Sequence, residues 1–347
     1  MGKYKAFEKH RIPYEFEYTE RLVHFLMMIA ETKPYIEENL AKPLEVQLLR
    51  QAKIRAITFS NQIEGNPLGE RGVTQALEGK HEHEGDNAVK EVRNYGDALD
   101  YAIRIAKAKR RLTTKDLCDI QKLITSGVLS DKHVGVIRNI SVSIGDASTG
   151  VQLDSCPEPK YLEDLLEDLW EWVEDHHDAN AFALAFAFHY LFIAIHPFAD
   201  GNGRTVRIMQ HLLLLRSGES IAQFVPSESV IMATRSEYYS TIRQCKILGT
   251  LNPFLEYLAE CFALAAENVV YERKTLLLQS AHRKPEARRE KIVSIGMQRK
   301  AFTIQDVIEA LPDIPRRTLE RDLEYLVKEG KLQAKGETRA RVYTNVE

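Results

Sequence analysis

The chain has 347 residues, long enough for two or three domains, and a formal net charge of −3. Its 44% hydrophobic and 28% charged residues are the balance of a soluble globular protein, and the small net charge excludes a whole-chain bias toward nucleic acid or anionic membrane. The four cysteines (Cys118, Cys156, Cys245, Cys261) have no metal-type spacing and read as reduced thiols, and the first residues carry no apolar signal core, so a cytoplasmic protein without a membrane segment is expected.

From about Glu20 to Ala108 the spacing of apolar residues predicts amphipathic helices (TERLVHFLMMIA, LEVQLLRQAKIRAITFSNQI, NAVKEVRNYGDALDYAIRIA), so residues 1–110 are expected to form an N-terminal helical region. Ser60 and Glu64 are four apart and share one face of the second of these helices, which Gly65, Asn66 and Pro67 then end. An acid at a helix C-terminus opposes the dipole, which points to a partner for Glu64 elsewhere in the chain. His81 and His83 lie in a polar loop and read as solvated. Thr113 is a good N-cap and opens the next region, residues 111–265.

Between Gly135 and Cys156 the alternation in NISVSI and VQL, around Gly145, Asp146 and Gly150, predicts a short β-hairpin, the best strand signal in an otherwise helical chain. KYLEDLLEDLWEWVEDHH predicts an acidic amphipathic helix. Ala181 to Ile195 is almost wholly apolar and reads as a buried helix that Pro197 terminates; it is too short to span a bilayer and contains His189.

The polar residues are concentrated immediately after it, in HPFADGNGRTVR, His196 to Arg207. Gly201 and Gly203 permit a tight turn whose N–H groups, with the N-terminus of the following helix, make an anion site suited to phosphate. Arg204 and Arg207 are three apart, share a helix face, and can each grip phosphate oxygens bidentately. Asp200 suits a hard cation such as Mg²⁺, and His196 at a helix end suits a general base near neutral pH. Together these residues describe nucleotide phosphate chemistry in which a histidine activates a hydroxyl.

Further on, Tyr238 and Tyr239 form a pair on a helix, and a long helix runs from Asn252 toward Leu278. Residues 280–291 read as a charged linker containing Pro285, so a helix and linker are expected over 266–288 and a separate domain over 289–347. That last segment predicts three helices and a strand pair, an order that resembles a winged helix. RRTLERDLEYL takes the place of its recognition helix, with Arg316, Arg317 and Arg321 near the basic end and Glu320, Asp322 and Glu324 nearly balancing them, which weakens a nucleic-acid reading.

HPFADGNGRTVR resembles the signature of the Fic family, H-x-F-x-[D/E]-G-N-G-R-x-x-R, with every fixed position filled, and the resemblance covers about residues 113–262. It implies a mainly α fold: a Fic-type helical core with a short β-hairpin flap, here followed by a small winged helix-turn-helix domain. It implies transfer of AMP from ATP to a Ser, Thr or Tyr hydroxyl of a target protein or of the chain itself, releasing pyrophosphate. By the same resemblance His196 would deprotonate the hydroxyl, Phe198 would anchor the loop, and Asp200 would hold Mg²⁺ on the α and β phosphates. Gly201, Asn202 and Gly203 would form the anion hole, with Arg204, Thr205 and Arg207 binding ATP beside them. Ile144, Gly145, Asp146 and Ala147 of the flap would lie nearest nucleotide and target, with Tyr238 and Tyr239 near the purine. An asparagine that some relatives carry eight residues after the first tyrosine is replaced by Lys246.

SNQIEG, from Ser60 to Gly65, resembles the family's inhibitory motif [S/T]-x-x-x-E-[G/N], which implies that Glu64 pairs with Arg207 and blocks seating of the γ-phosphate. Other readings stay open: a DNA-binding regulator with the core as a sensor, removal of AMP, transfer of another nucleotide, and a homodimer through the core.

Overall fold

The computed structural model describes residues 5–37, 42–81, 83, 85–108, 110–145, 152–336 and 341–346. Contacts divide the chain into two units, Met1–Val270 and Tyr271–Glu347. The first unit opens with α1 (Lys5–His10), α2 (Glu20–Glu37), α3 (Lys42–Ile63), α4 (Glu70–Leu77), α5 (Asn87–Ala106) and α6 (Thr114–Thr125). A two-stranded antiparallel ribbon follows, β1 (Ser143–Gly145) with β2 (Gln152–Ser155), in which Ile144 faces Asp154. Then come α7 (Leu162–Asp175), α8 (Ala181–Ile195), α9 (Asn202–Arg216), α10 (Glu228–Ala233), α11 (Arg235–Leu248) and α12 (Asn252–Arg283), the last continuing into the second unit.

Helix α8 is the axis of the core. Every residue of it except Ala181 and Ala194 is buried, and burying a Phe or Leu side chain stabilises by about 2 kcal/mol each. The Asn180 side chain caps its start by accepting from the Phe182 N–H at 2.9 Å. Helix α9 lies against it, and α5 and α6 pack on α9 in turn; α3 packs on α5 and α10. Both ends of the 196–201 loop are therefore fixed on buried helices. A reciprocal capping box, Thr113 with Asp116, starts α6.

Helix α3 ends at Ile63, one residue before Glu64, and Gly65 supplies the left-handed turn (φ 93°) that only glycine adopts without strain. The hairpin expected around Gly145 is present on both arms. Asp146 and Ala147 lie outside the described residues.

The second unit holds the rest of α12, α13 (Pro285–Gln298), β3 (Phe302–Thr303), α14 (Ile304–Ala310), α15 (Arg316–Lys328), β4 (Leu332–Lys335) and β5 (Val342–Asn345), with the sheet order β3–β5–β4 around its own apolar cluster. The expected linker over 280–291 is helical instead: α12 runs to Arg283 and α13 starts with Pro285 in its first position. Ala, Arg, Glu and Lys are strong helix formers, and proline is tolerated at a helix start, so a charged stretch did not mean an unstructured one. The charge pattern of α15 also departs from the expectation. Asp322 does not balance the outer face; it is buried and paired with Arg288 and Arg289 of α13.

Candidate functional site

The loop after α8 is held by side chains that the sequence did not single out. Arg138, 2% exposed, donates from its backbone to Pro197 O at 2.9 Å and from Nε to His196 O at 2.7 Å. Its remaining nitrogens donate to Ile140 O and Pro157 O. Gln121 of α6 donates to Asp200 O at 3.1 Å and accepts from the Gly135 N–H. Nothing in the sequence around Arg138 distinguishes it from a surface arginine. Gln121, a polar residue on the apolar face of α6, was the more legible of the two.

His196 follows α8 in a left-handed conformation, φ 52° and ψ 60°, with its N–H on Phe192 O. The proline after it disfavours continued right-handed helix, and the Arg138 bonds fix the alternative. Its Nδ1–H donates to Ile193 O at 3.3 Å, which leaves the Nε2 lone pair as the free one. Burial pushes its pKa down to about 4, with the Ile193 bond opposing and the Arg138 charge assisting. The imidazole is therefore neutral at pH 7 and able to accept a proton.

The loop itself closes on Phe198, which is fully buried. Its N–H donates to Asn202 Oδ1 at 3.0 Å, and Asn202 Nδ2 donates to Phe198 O at 2.9 Å. The amide of Asn202 thus staples the loop, leaving only its backbone for an anion. Gly201 has φ 80°, and a Cβ there would stand 3.0 Å from Thr125 Cγ2. Asp200 is exposed at the loop edge and accepts from the Gly201 N–H at 2.6 Å.

At the first turn of α9 a side chain on Gly203 would collide with Glu64 Oε1. That oxygen accepts from Arg207 Nη2 at 2.7 Å. Ser60 completes the grip, its Oγ accepting from Arg207 Nε at 2.7 Å and its carbonyl from Nη2 at 3.0 Å. Arg207 Nη1 is buried with no hydrogen-bond partner, a spare donor in the same place. Burial works to raise the Glu64 pKa, but the charges of Arg207 and Arg204 and the Arg207 hydrogen bond outweigh it and hold the carboxylate ionised, below its usual range. A carboxylate thus sits on a helix N-terminus, where a phosphate would also be stable.

These groups line a cavity of about 210 Å³ that brings together Glu64, Ile144, His196, Asp200, Gly201, Asn202, Gly203, Arg207, Tyr238 and Tyr239. Ser143, Ile193, Ala199 and Ile242 line it as well and were not anticipated. Tyr238 gives the wall its ring, while its hydroxyl turns inward to His189 Nε2 at 3.0 Å, and His189 Nδ1–H donates to Gln210 Oε1 at 2.7 Å. Tyr239 packs edge-on against Tyr238, with ring centroids 5.3 Å apart. An adjoining cavity shares Ile144 and Ile242 and contains Lys246.

Two expected nucleotide ligands are not in the wall. Arg204 points to α5, where it pairs with Glu91 Oε1 at 3.3 Å. The other oxygen of Glu91 accepts from Asn66 Nδ2 at 2.8 Å, so Arg204 is tied to the turn that carries Glu64. Thr205 is fully buried, its N–H on Gly201 O, because its position on α9 faces the core. No group of three or more His, Cys, Asp or Glu side chains among the described residues could hold a metal by itself. A lone carboxylate such as Asp200 fits a Mg²⁺ brought by phosphates, since that ion commonly takes one or two protein carboxylates, phosphate oxygens and water.

Residues 111–214 match the Fic/DOC family. The chain carries a Fic domain. It is 25% identical over 239 residues to protein adenylyltransferase fic-1 of Caenorhabditis briggsae, which covers 66% of this chain and 43% of that protein. It is 26% identical over 247 residues to protein adenylyltransferase Fic of Nematostella vectensis, covering 67% of this chain and 54% of the other. The chain therefore spans about half the length of these relatives. Among solved structures, a Fic family protein from Desulfovibrio desulfuricans G20 has the same fold over 96% of this chain and 98% of its own, with TM-score 0.65 and 23% identity. Fic-1 from C. elegans (residues 134–508) matches over 73% of each chain, with TM-score 0.59 and 22% identity. The Fic domain contains both the His196–Arg207 loop and the buried helix before it. No helix among the described residues is long and apolar enough to cross a membrane.

Proposed function

We propose that the chain is a protein adenylyltransferase held inactive by its own Glu64. The observation that carries this reading is the seat of the Glu64 carboxylate over Gly203, paired with Arg207, in one cavity with a neutral His196. With Glu64 withdrawn, the α9 N-terminus and Arg207, including its spare Nη1, receive the terminal phosphates of ATP. His196 Nε2 takes the proton of a target Ser, Thr or Tyr hydroxyl as that oxygen bonds to the α-phosphorus, and the bond to the β-phosphate oxygen breaks, releasing pyrophosphate. Asp200 would hold Mg²⁺, which would supply charge neutralisation to the nucleotide phosphates. Transfer of this kind rests on positioning and charge neutralisation. The target segment docks beside β1, in a ribbon of two strands, by strand addition that needs no fixed side chains.

The four free cysteines support a reducing compartment such as the cytoplasm. In the second unit, three helices and a small sheet support a winged-helix reading. With Asp322 turned inward, the outer face of α15 is more basic than its sequence suggests, although Arg316 is still met by Glu320 at 2.8 Å. The deciding experiment compares label transfer to protein from α-labelled and γ-labelled ATP by wild type, Glu64→Gly, and Glu64→Gly with His196→Ala. Label from the α position only, raised by Glu64→Gly and lost with His196→Ala, is expected. Label from the γ position would make the enzyme a kinase-like relative.

A further inference from the structure

Behind Arg207, on the side away from the catalytic loop, lies another cavity of about 190 Å³ between α3, α5, α9 and α10. Its walls are largely apolar, with Ala56 on α3, Leu99 on α5 and Val225 ahead of α10. Two polar groups open into it without partners. Glu228, 9% exposed, has no ion pair among the described residues; its own backbone N–H and the nearby Arg207 charge favour its ionised form without offsetting its burial. His211 Nε2 is buried with no hydrogen bond.

The two cations in the wall, Lys53 and Arg207, each already have an acidic partner. Lys53 of α3 is bridged to Asp100 at 2.6 Å, Arg207 is met by Glu64, and the Tyr95 hydroxyl of α5 is bonded to Ser60. An unpaired carboxylate in an apolar wall costs free energy unless it is protonated or a ligand meets it, and burial pushes Glu228 up to about 7. The uncompensated charge that the cavity offers is therefore negative, and an arriving cation would hold Glu228 ionised.

We infer that this cavity binds a compact organic ammonium ion, with the cation on Glu228 and the apolar body between α3 and α5, and that occupancy tightens the brake. The volume is below the roughly 300 Å³ at which drug-sized sites begin, so the occupant is small. The coupling follows from the wall: Ala56 lies one helical turn before Ser60 on α3, so the ligand makes those contacts only while α3 is docked and Ser60 and Glu64 hold Arg207. A ligand that contacts one state only shifts the population toward it. The coupling rests on the adenylyltransferase reading above, whereas the binding does not.

The probe is phenethylammonium chloride at pH 7.5, titrated by calorimetry into the full chain, with 2-phenylethanol as its uncharged counterpart. Saturable binding to wild type is expected. Binding at least tenfold weaker is expected in Glu228→Gln, which removes the charge, and in Ala56→Leu, which fills the space and leaves Glu228 in place. The alcohol should give no saturable signal. Circular dichroism reports whether each variant is folded, and Ala56→Leu alone decides if Glu228→Gln is not. No saturable binding to wild type at millimolar probe, or equal binding by a folded variant or by the alcohol, overturns the site. In the transfer assay, saturating phenethylammonium should lower wild-type activity severalfold and leave Glu64→Gly unchanged. Undiminished wild-type transfer with binding intact overturns the coupling. Absence of transfer in every variant overturns the adenylyltransferase reading, with calorimetry still judging the site.

Discussion

Glu64 Oε1 rests over the backbone of Gly203 and 2.7 Å from Arg207 Nη2, so one carboxylate covers the anion seat and neutralises the arginine that serves it. The two effects are separable by mutation. Arg207 is almost wholly buried, and removing the partner of a buried ion pair costs about 3–5 kcal/mol because the remaining charge is left uncompensated. Glu64→Gly should therefore lower the melting temperature of the nucleotide-free protein while raising transfer. Saturating ATP with Mg²⁺ should restore more stability to the variant than it adds to wild type, since binding to the folded state alone stabilises it. Thermal melts with and without ATP test this. An equal ATP-induced shift in both proteins would remove the competition for one seat.

Gly203→Ala tests the seat itself. A Cβ there collides with the Glu64 carboxylate, so the brake should loosen and apo stability should fall. The same methyl group obstructs a phosphate, so transfer should stay at least tenfold below Glu64→Gly in the double variant. If transfer by the double variant matches that of Glu64→Gly, Gly203 is needed for the brake alone.

Glu91 would give the proposed brake a second fastening. It joins Arg204 of α9 to Asn66, two residues beyond Glu64, and Asn66 also donates to Ala88 O at 3.0 Å. Glu91→Gln keeps the shape and weakens the tie, so basal transfer should rise severalfold, less than with Glu64→Gly. In the Glu64→Gly background the same change should add nothing. An additive rise would place Glu91 in a separate step.

Acid should weaken the fold in a window set by buried histidines. His189 and His211 have folded pKa values pushed down by burial to about 3 and about 4, against about 6.5 in the unfolded chain. Their neutral forms contribute stability that is present above pH 6.5 and is lost as pH falls toward 4, by a few kcal/mol in total on the order-of-magnitude scale. Glu228, pushed up to about 7, acts in the opposite sense, its contribution complete below about 4.5 and lost as pH rises through 7. Three buried histidines, since His196 is also pushed down to about 4, against one carboxyl predict a net loss on acidification. Melting temperatures from pH 7 to 4.5 should fall, and His189→Gln should flatten the slope; an unchanged slope would move the acid response elsewhere.

Much of the Fic domain was legible because its chemistry is contiguous. Twelve residues carry His196, the turn, the helix N-terminus and Arg207, and the apolar run before them could only be a buried helix. Glu64 was legible for a physical reason as well, as an acid at the wrong end of a helix. The Arg204–Glu91 pair was not legible because sharing a face with Arg207 does not mean sharing a partner: residues three apart diverge enough for one to reach the cavity and the other α5. Arg138 and Glu91 were invisible because their roles arise only when segments far apart in sequence meet. The charged stretch over 280–291 shows that composition can signal exposure without signalling loss of helix.

The turn that ends α3 makes Glu64 a ligand on a short leash. Its local concentration at the seat, of millimolar order or more for a short connection, is set by the chain and not by the cell. On the adenylyltransferase reading proposed above, free ATP would compete with a rival that never diffuses away, so changes in nucleotide level alone would move such an enzyme little. Whatever draws α3 back by a few ångströms collapses that local concentration, and a small mechanical displacement then acts as a steep chemical signal.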